Sequence, residues 1–402
     1  MKNNCFTNGI NNSKSTDVIN FGNFPYINSP ISTSQKKKII SKFKPNKLFG
    51  ILKIKYCNKC HHLKVNSQIN QKLLNFFYSE FYNYPSFIKK KDLPKREKIF
   101  LKNFLSFFKK KKSKNVLEIG CFDGILLKEL KKFNFEVEGC EPSEGANIAK
   151  KNGIKVIKDF FKPQIYKKKF EIVFARHVLE HLEKPYLFMK NIIKVLSKDG
   201  YIIIEVPNIS FYIKNGLLEV FSLQHLHYFT PESMIKLFES LNLEICKYYE
   251  TPENLIFFGK KKESRIIKKK IKSNINIKKF LNKIENNKDK ITNAIDKFKN
   301  KNIIFWGAGG FFVAATNLYN IKPEISNYIV DSDIKKKNKF FLGTNLKIIT
   351  PKQLKKLKID LIIITSYYSS EIMKTIYKDK INCKVLKIFP YISLTKIKND
   401  KN

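Results

Sequence analysis

The fold turns on one stretch, VLEIGCFDG, running from Val116 to Gly124. A short apolar run carrying Glu118 meets Gly120, three mixed residues and then Gly124. The run has the composition of a buried strand, and the two glycines let the backbone approach a ligand and open a helix without a Cβ clash. Downstream the alternation continues. NVLEIG, FEVEGCE, IKVIKD, FEIVFAR and YIIIEVP read as strands, with ILLKELKKF, GANIAKKN and YLFMKNIIKVLSKDG as helices between them, the last running to Gly200. Strands alternating with helices imply an α/β fold with a parallel, doubly wound, Rossmann-like sheet. Ligands of such sheets bind beyond the carboxyl ends of the strands, where the quoted turn falls.

The turn also selects among ligands. A dinucleotide site wants glycine where Phe122 stands, because the pyrophosphate lies against that backbone. Here Glu118 and Asp123 flank the helix start; they would repel a diphosphate and suit a cationic ligand with an ammonium group. S-adenosylmethionine carries a sulfonium and an amino group, and its ribose needs an acceptor at the end of the next strand. Glu141 closes FEVEGCE about 20 residues after the glycines, the separation expected of a ribose-binding acid. Asp159, after the third strand, would neighbour the adenine. The expected cofactor set is therefore Glu118, Gly120, Cys121, Asp123, Gly124, Glu141 and Asp159. Cys121 and Cys140 read as small packing residues of the pocket rather than nucleophiles. The plainer alternative is an ordinary strand-helix turn with incidental acids.

At 402 residues the chain is long for one core, and roughly 150 residues per domain suggests two or three. Residues 1–70 form one expected module, 71–260 the domain with the glycine turn, 261–300 a helical linker and 301–402 a second Rossmann-like domain. The first module is polar, with apolar pieces too short to close a core unaided, so something must staple it. LLNFFYSEFYNYPSF reads as a tyrosine-bearing loop and REKIFLKNFLSFF as an amphipathic helix. The linker repeats apolar residues at helical spacing through Ile277, Phe280, Leu281, Ile284, Ile291, Ile295 and Phe298. In the last segment Gly307, Gly309 and Gly310 form a second phosphate-ready turn, with Asp331 near the ribose-acid spacing and Phe312 where a third glycine would stand. That degraded turn would help hold a nucleotide-linked substrate or serve structure alone.

A net charge of +44 first suggests a nucleic-acid partner. Arginine, whose planar fork reads guanine and clamps phosphate, occurs only at Arg96, Arg176 and Arg265, while lysine travels with asparagine and isoleucine as in AT-biased coding. Lysine triplets such as Lys36–Lys38 and Lys335–Lys337 fall between apolar segments and read as solvated loops, so no specific nucleic acid is expected. With 43% hydrophobic and 13% aromatic residues, the chain has enough apolar surface to fold. No basic, apolar leader opens it and no run approaches the ~18 apolar residues of a membrane span, which points to a cytoplasmic protein. Its seven cysteines then read as thiols or metal ligands.

The residues from VLEIGCFDGILLKEL through GCEPSEGANIAKKNGIKVIKDFF to FEIVFARHVLEHLEKPYLFMKNIIKVLSKDGYIIIEVPN resemble class I S-adenosylmethionine-dependent methyltransferases. VINFGNFPYIN and ILKIKYCNKCHHL are similar to the amino-terminal zinc-binding module of the sugar C-methyltransferases, which act on nucleotide-linked keto-deoxysugars. IIFWGAGG, IVDSDIKKKNKFFLGTNLKIITPKQL and IDLIIIT are similar to their carboxy-terminal domain. Three modules in this order cover nearly the whole chain. The resemblance implies a structural zinc ion at Cys5, Cys57 and Cys60, three thiolates where tetrahedral zinc takes four donors, because Asn8 stands where the first C-x-x-C pair would end. His61 or His62 would complete the set; the alternative is a vestigial knuckle with free thiols. The resemblance also implies an active-site role for His181 in HVLEHL and a cofactor-covering loop at Tyr84 and Ser86. The family's Tyr-His-Glu-His run reads here as Ser222, Leu223, Gln224 and His225, so only the last histidine survives.

Methylating a carbon beside a ketone requires removing a proton, holding the enolate and presenting it to the sulfonium methyl. His225 is the expected base, with Tyr84 or His181 donating to the oxyanion. Loss of the family's tyrosine and glutamate removes a donor and an acid that orients the histidine, and a hydroxyl or amine acceptor needs less help. His177 reads as packing, and His227 should face away from His225 on an extended segment. His177, His181 and His225 are too scattered in sequence to claim a metal site. The leading expectation is C-methylation of a nucleotide-linked keto sugar. The alternatives are O- or N-methylation of a glycan precursor or small metabolite, and a non-catalytic basic binding module with a residual cofactor turn.

Overall fold

The structure is a computed structural model that describes residues 15–82, 92–109, 115–261, 275–389 and 391–397. Strands β1 (Ser15–Pro25), β2 (Phe49–Cys57) and β3 (His62–Val65) form a small antiparallel sheet. The second sheet follows the glycine-turn stretch through β4 (Asn115–Ile119), β5 (Glu136–Cys140), β6 (Lys155–Ile157), β7 (Phe170–Arg176) and β8 (Leu196–Pro207). The chain then returns to the first sheet as β9 (His227–Tyr228), beside β3. It completes the second sheet with β10 (Leu243–Glu250) and β11 (Asn254–Lys261), in the order β10-β11-β8-β7-β4-β5-β6.

Within that second sheet β4 pairs in parallel with both β5 and β7, so the strand order reverses at β4 and a crevice opens at its carboxyl end, next to Gly120. Both faces are covered, as a parallel sheet requires. Leu117, Val173 and Ile202 point to a core with helices Pro185–Val195 and Pro231–Ser240; Val116, Phe174 and Ile203 point to the opposite core, with helices Lys95–Phe108, Ile125–Lys131 and Gly145–Lys151.

The third sheet contains β12 (Ile303–Trp306), β13 (Tyr328–Val330), β14 (Lys347–Ile349), β15 (Leu361–Ile364), β16 (Lys384–Lys387) and β17 (Ser393–Lys396), in the order β14-β13-β12-β15-β16-β17. Its neighbours pair in parallel except for the antiparallel β16 and β17. One face packs Phe305, Ile329 and Ile363 into a core that also contains Phe24, Leu52 and Ile54 of the first sheet, and Phe280, Ile284 and Ile291 of helix Ile277–Asp296. The staple that the short apolar pieces of the N-terminal segment need is thus a core shared across more than 200 residues of sequence, since neither layer alone buries enough apolar surface.

Two expectations change. LLNFFYSE is helical rather than loop: Gln71–Glu80 is capped by Asn70, whose side chain accepts the Leu73 N–H, and it buries Leu73, Leu74 and Phe77 at helical spacing. The helix expected to reach Gly200 ends at Val195. Leu196 adopts extended backbone and pairs with Phe170, so the strand ladder overrides the helical propensity of LSKDG. No helix among the described residues is long and apolar enough to cross a membrane.

Candidate active site

Glu118 ends buried on β4, with Oε2 shielded from solvent and without a hydrogen-bond partner. Burial pushes its carboxyl up to about 8 despite the pull of Arg176, with Asp123 and Glu141 adding repulsion. A ligand bringing an ammonium group would satisfy that oxygen and restore its charge. Gly120 adopts φ +77°, and a Cβ there would lie 2.5 Å from Val178 Cγ2, so only glycine fits at the mouth of the crevice, with Val178 packed on it. Phe122, with φ 45°, donates its N–H to Glu141 Oε2 at 3.0 Å, while Ser143 donates its own to Oε1 at 2.8 Å. Each Glu141 oxygen retains acceptor capacity for a ribose hydroxyl. Asp123 accepts the Ile125 N–H at 3.1 Å, and Gly124 opens the helix Ile125–Lys131 from left-handed backbone. The residues present therefore fit S-adenosylmethionine: an orphaned carboxyl oxygen for the amino group, a tight glycine turn, and an oriented acid for the ribose.

The remaining cofactor-set residues sit at the edges. Cys121 is buried against Gly139 and burial raises its thiol well above the usual range; Cys140 donates to the Asp159 carbonyl at 3.2 Å, and burial raises its thiol to about 11. Both behave as packing groups. The Asp159 side chain is 41% exposed, accepts the Phe160 N–H and pairs with Lys162, so it is engaged at the surface.

Beyond β7, Val178 packs on Gly120 and a 3-10 turn, Leu179–His181, presents Glu180 and His181. The loop before β9 folds over them: Leu226 donates its N–H to the Glu180 carbonyl at 2.7 Å, and the rings of His181 and His225 lie 4.8 Å apart. His225 Nδ1 is 2.9 Å from the Val220 carbonyl and His181 Nδ1 is 2.9 Å from the Gln224 carbonyl. A carbonyl only accepts, so each Nδ1 carries the proton and each Nε2 keeps its lone pair. Burial lowers both imidazoles, His225 to about 3 with His181 adding to the shift. Burial opposes ionisation of Glu180, but the His177 hydrogen bond and the neighbouring imidazoles outweigh it and hold the carboxyl at about 2. Near neutral pH the Glu180 carboxylate stands beside the neutral imidazoles of His181 and His225, while its hydrogen-bond partner His177 is shifted the other way: burial and Arg96 lower that imidazole, but the bonds to Glu180 and Glu205 outweigh them and raise it.

Two members of this cluster escape a reading of the sequence. Tyr78, on the helix read as a loop, places its hydroxyl 2.9 Å from His181 Nδ1. Its ring continues a path of contacts from the glycine turn: Phe122 to Tyr82 at 6.0 Å, Tyr82 to Tyr78 at 6.0 Å and Tyr78 to His181 at 5.5 Å. Glu180 is the other; the signal was the acid beside His181 in HVLEHL. The positions departing from the family run have scaffolding tasks. Ser222 Oγ accepts the N–H groups of Gln224 and His225, and the Gln224 amide donates to the Tyr26 carbonyl at 2.8 Å. His177 bonds Glu180 and lies in a buried network with Glu205 and Arg176, whereas His227 turns to His62, 2.9 Å between ring nitrogens.

Tyr84, Ser86 and Cys5 lie outside the described residues. Cys57 and Cys60 are fully buried against each other; His61 Nδ1 meets the Tyr56 hydroxyl and His62 meets His227. In the third sheet Gly307, Gly309 and Asp331 gather at one turn. There Asp331 accepts the N–H groups of Ala308 and Asp333, both at 2.8 Å, and pairs with Lys336 at 2.9 Å.

Residues 94–248 match the family model of a methyltransferase domain, and residues 261–382 that of a C-methyltransferase C-terminal domain. The chain is similar to the C-methyltransferase NovU of Streptomyces niveus, 24% identical over 137 residues that are 32% of this chain and 33% of that protein. It is also similar to the ubiquinone biosynthesis O-methyltransferase of Pelagibacter ubique, 30% identical over 129 residues, 29% of this chain and 53% of that protein. The chain thus spans about a third to a half of the length of these curated relatives. Among solved structures, the plantazolicin methyltransferase BpumL with a pentazolic desmethylPZN analog and SAH superposes with a TM-score of 0.37 at 16% identity, over 43% of this chain and 87% of that one. Two such domain matches stand in tandem, the first on a sheet whose order reverses at an acid-flanked glycine turn: the chain carries a methyltransferase domain followed by a C-methyltransferase C-terminal domain.

Proposed function

We propose that this protein methylates a carbon beside a ketone on a nucleotide-linked deoxysugar, with His225 as the base. The observation that carries the reading is the continuous path from the glycine turn to two neutral imidazoles beside an ionised carboxylate. S-adenosylmethionine, when bound, supplies an electrophilic methyl group on sulfur. Glu118 would hold its amino group and Glu141 its ribose hydroxyls, with Gly120, Cys121, Asp123 and Gly124 forming the turn and Asp159 its rim.

His225 Nε2 takes the proton from the acceptor carbon, and the released electron pair makes the enolate carbon the nucleophile toward the methyl group. A base with so low a pKa needs its cation stabilised, and Glu180 supplies that, standing in space for the acid that Gln224 replaces. The Tyr78 oxygen shares the His181 Nδ1 proton, which leaves its own O–H to donate to the enolate oxygen, as Tyr84 would from the covering loop. The turn at Gly307 and Gly309 would receive the nucleotide phosphates; Lys336 already neutralises Asp331, which removes a repulsion. A structural zinc ion at Cys5, Cys57 and Cys60 and domain limits at residues 70, 260 and 300 belong to the same reading. Similarity to an O-methyltransferase supports a second reading, a hydroxyl acceptor using the same base.

The test is incubation with methyl-labelled cofactor and a panel of nucleotide-linked keto sugars, followed by mass spectrometry of the product. A carbon-bound label is expected, with turnover falling about 10²–10⁴-fold in His225→Ala. Label on oxygen would move the assignment to the second reading. No labelled product across the panel, or unchanged turnover in His225→Ala, would refute the sugar substrate or the base respectively.

A further inference from the structure

The cluster beside the glycine turn has a property that methyl transfer does not require. Glu180 is 1% exposed; Oε1 faces His177 Nδ1 at 3.2 Å, while Oε2 is buried without a hydrogen-bond partner. His181 and His225 each commit Nδ1–H to a backbone carbonyl, Gln224 and Val220, which fixes the ring and leaves Nε2 as the donor atom. Holding the far N–H of an imidazole in this way is how proteins orient histidines toward a metal. One ligand atom from each of Glu180, His181 and His225 lies within 4.8 Å of the other two, a spacing that a small rearrangement closes around an ion with bonds of about 2.0–2.2 Å. Two imidazole nitrogens and one carboxylate suit a borderline ion such as zinc or cobalt, whereas magnesium prefers oxygen ligands and retains its water.

We propose that Glu180, His181 and His225 form a binding site for a divalent first-row transition ion, and that the ion inhibits methyl transfer by occupying the His225 Nε2 lone pair. The site itself stands on the three side chains alone. The inhibitory consequence rests on His225 being the base.

The experiment loads the full chain, stripped with a chelator, with zinc and separately with cobalt. Bound metal is counted after desalting, and X-ray absorption at the zinc edge reads the ligand atoms. An equivalent with only nitrogen and oxygen neighbours is expected, retained when Cys57 and Cys60 are both changed to serine and not displaced by excess magnesium. Its affinity should fall at least about 100-fold in His225→Ala and in Glu180→Gln. Circular dichroism identifies a variant that fails to fold; the edge spectrum of the unsubstituted chain then decides, and zinc bound only through sulfur overturns the site. Zinc should abolish turnover and leave S-adenosylhomocysteine affinity unchanged. An occupied nitrogen–oxygen site with full turnover would overturn the inhibition and the base assignment together. Absence of that site with an inactive His225→Ala would overturn the metal proposal alone.

Discussion

After β4 and after β12 the chain makes the same turn from strand into helix, and the two turns handle their acids differently. At the first, Glu118 is buried with an unsatisfied oxygen, and among the described residues Glu141 receives backbone N–H groups but no ion-pair partner. At the second, Asp331 also receives two backbone N–H groups, but Lys336 closes the charge. Topology alone therefore does not make the first turn a cation site. A buried carboxyl with an unpartnered oxygen, held protonated by burial, does, because its charged form is recovered only when a cationic ligand arrives.

The largest contrast should come from glycines. Gly120→Ala drives a Cβ against Val178 at a left-handed position and should cost about 2 kcal/mol or more and abolish S-adenosylhomocysteine binding, read by thermal melting and calorimetry. Gly307→Ala, at φ +121° with Thr365 O only 2.4 Å from the added atom, should lose comparable stability without touching cofactor affinity. Gly309 has open space and extended backbone, so alanine there should change stability by no more than about 0.5 kcal/mol. Equal loss of cofactor binding in Gly120→Ala and Gly307→Ala would erase the distinction between the turns.

A second contrast is in pH. Glu118 titrates near 8 in the ligand-free fold against 4.5 in the unfolded chain, so the fold binds the extra proton. The stability this lends is full below pH 4.5, declines as pH rises and is lost on passing 8; Glu118→Gln should flatten that slope in melting curves. A cationic ligand requires the ionised form, so cofactor affinity should rise up to about tenfold per pH unit below 8 and level off above. A flat affinity profile would mean that Glu118 is not the ammonium partner. The smallest effect belongs to the second turn. Asp331→Asn, losing one partly exposed ion pair, should shift stability by no more than about 1 kcal/mol and leave cofactor affinity unchanged in the same calorimetry.

The first turn was legible because its signals are local: a β-branched run, glycines at fixed offsets and an acid at the end of the next strand. The histidine cluster was legible only in part. The family resemblance marks His181 and His225, but their scatter along the chain hides a joint site, and Tyr78 lies in a stretch that resembles a loop because its helix starts from an asparagine cap amid dense aromatics. Nothing local marks Glu180 as the carboxylate between two imidazoles, since the loop that brings His225 to it returns only through β9.

The order of strands and helices, and the acids around Gly120, are encoded within a few residues, because side-chain period, capping and glycine backbone freedom act over one turn of chain. Which groups meet is set by packing over long separations: Tyr78 reaches His181 across 103 residues, His62 reaches His227 across 165, and the polar N-terminal sheet finds its core against helix Ile277–Asp296 and the third sheet. Such contacts exist only when apolar faces from distant segments bury one another, and burial is also what leaves the imidazoles neutral and the Glu118 oxygen unsatisfied.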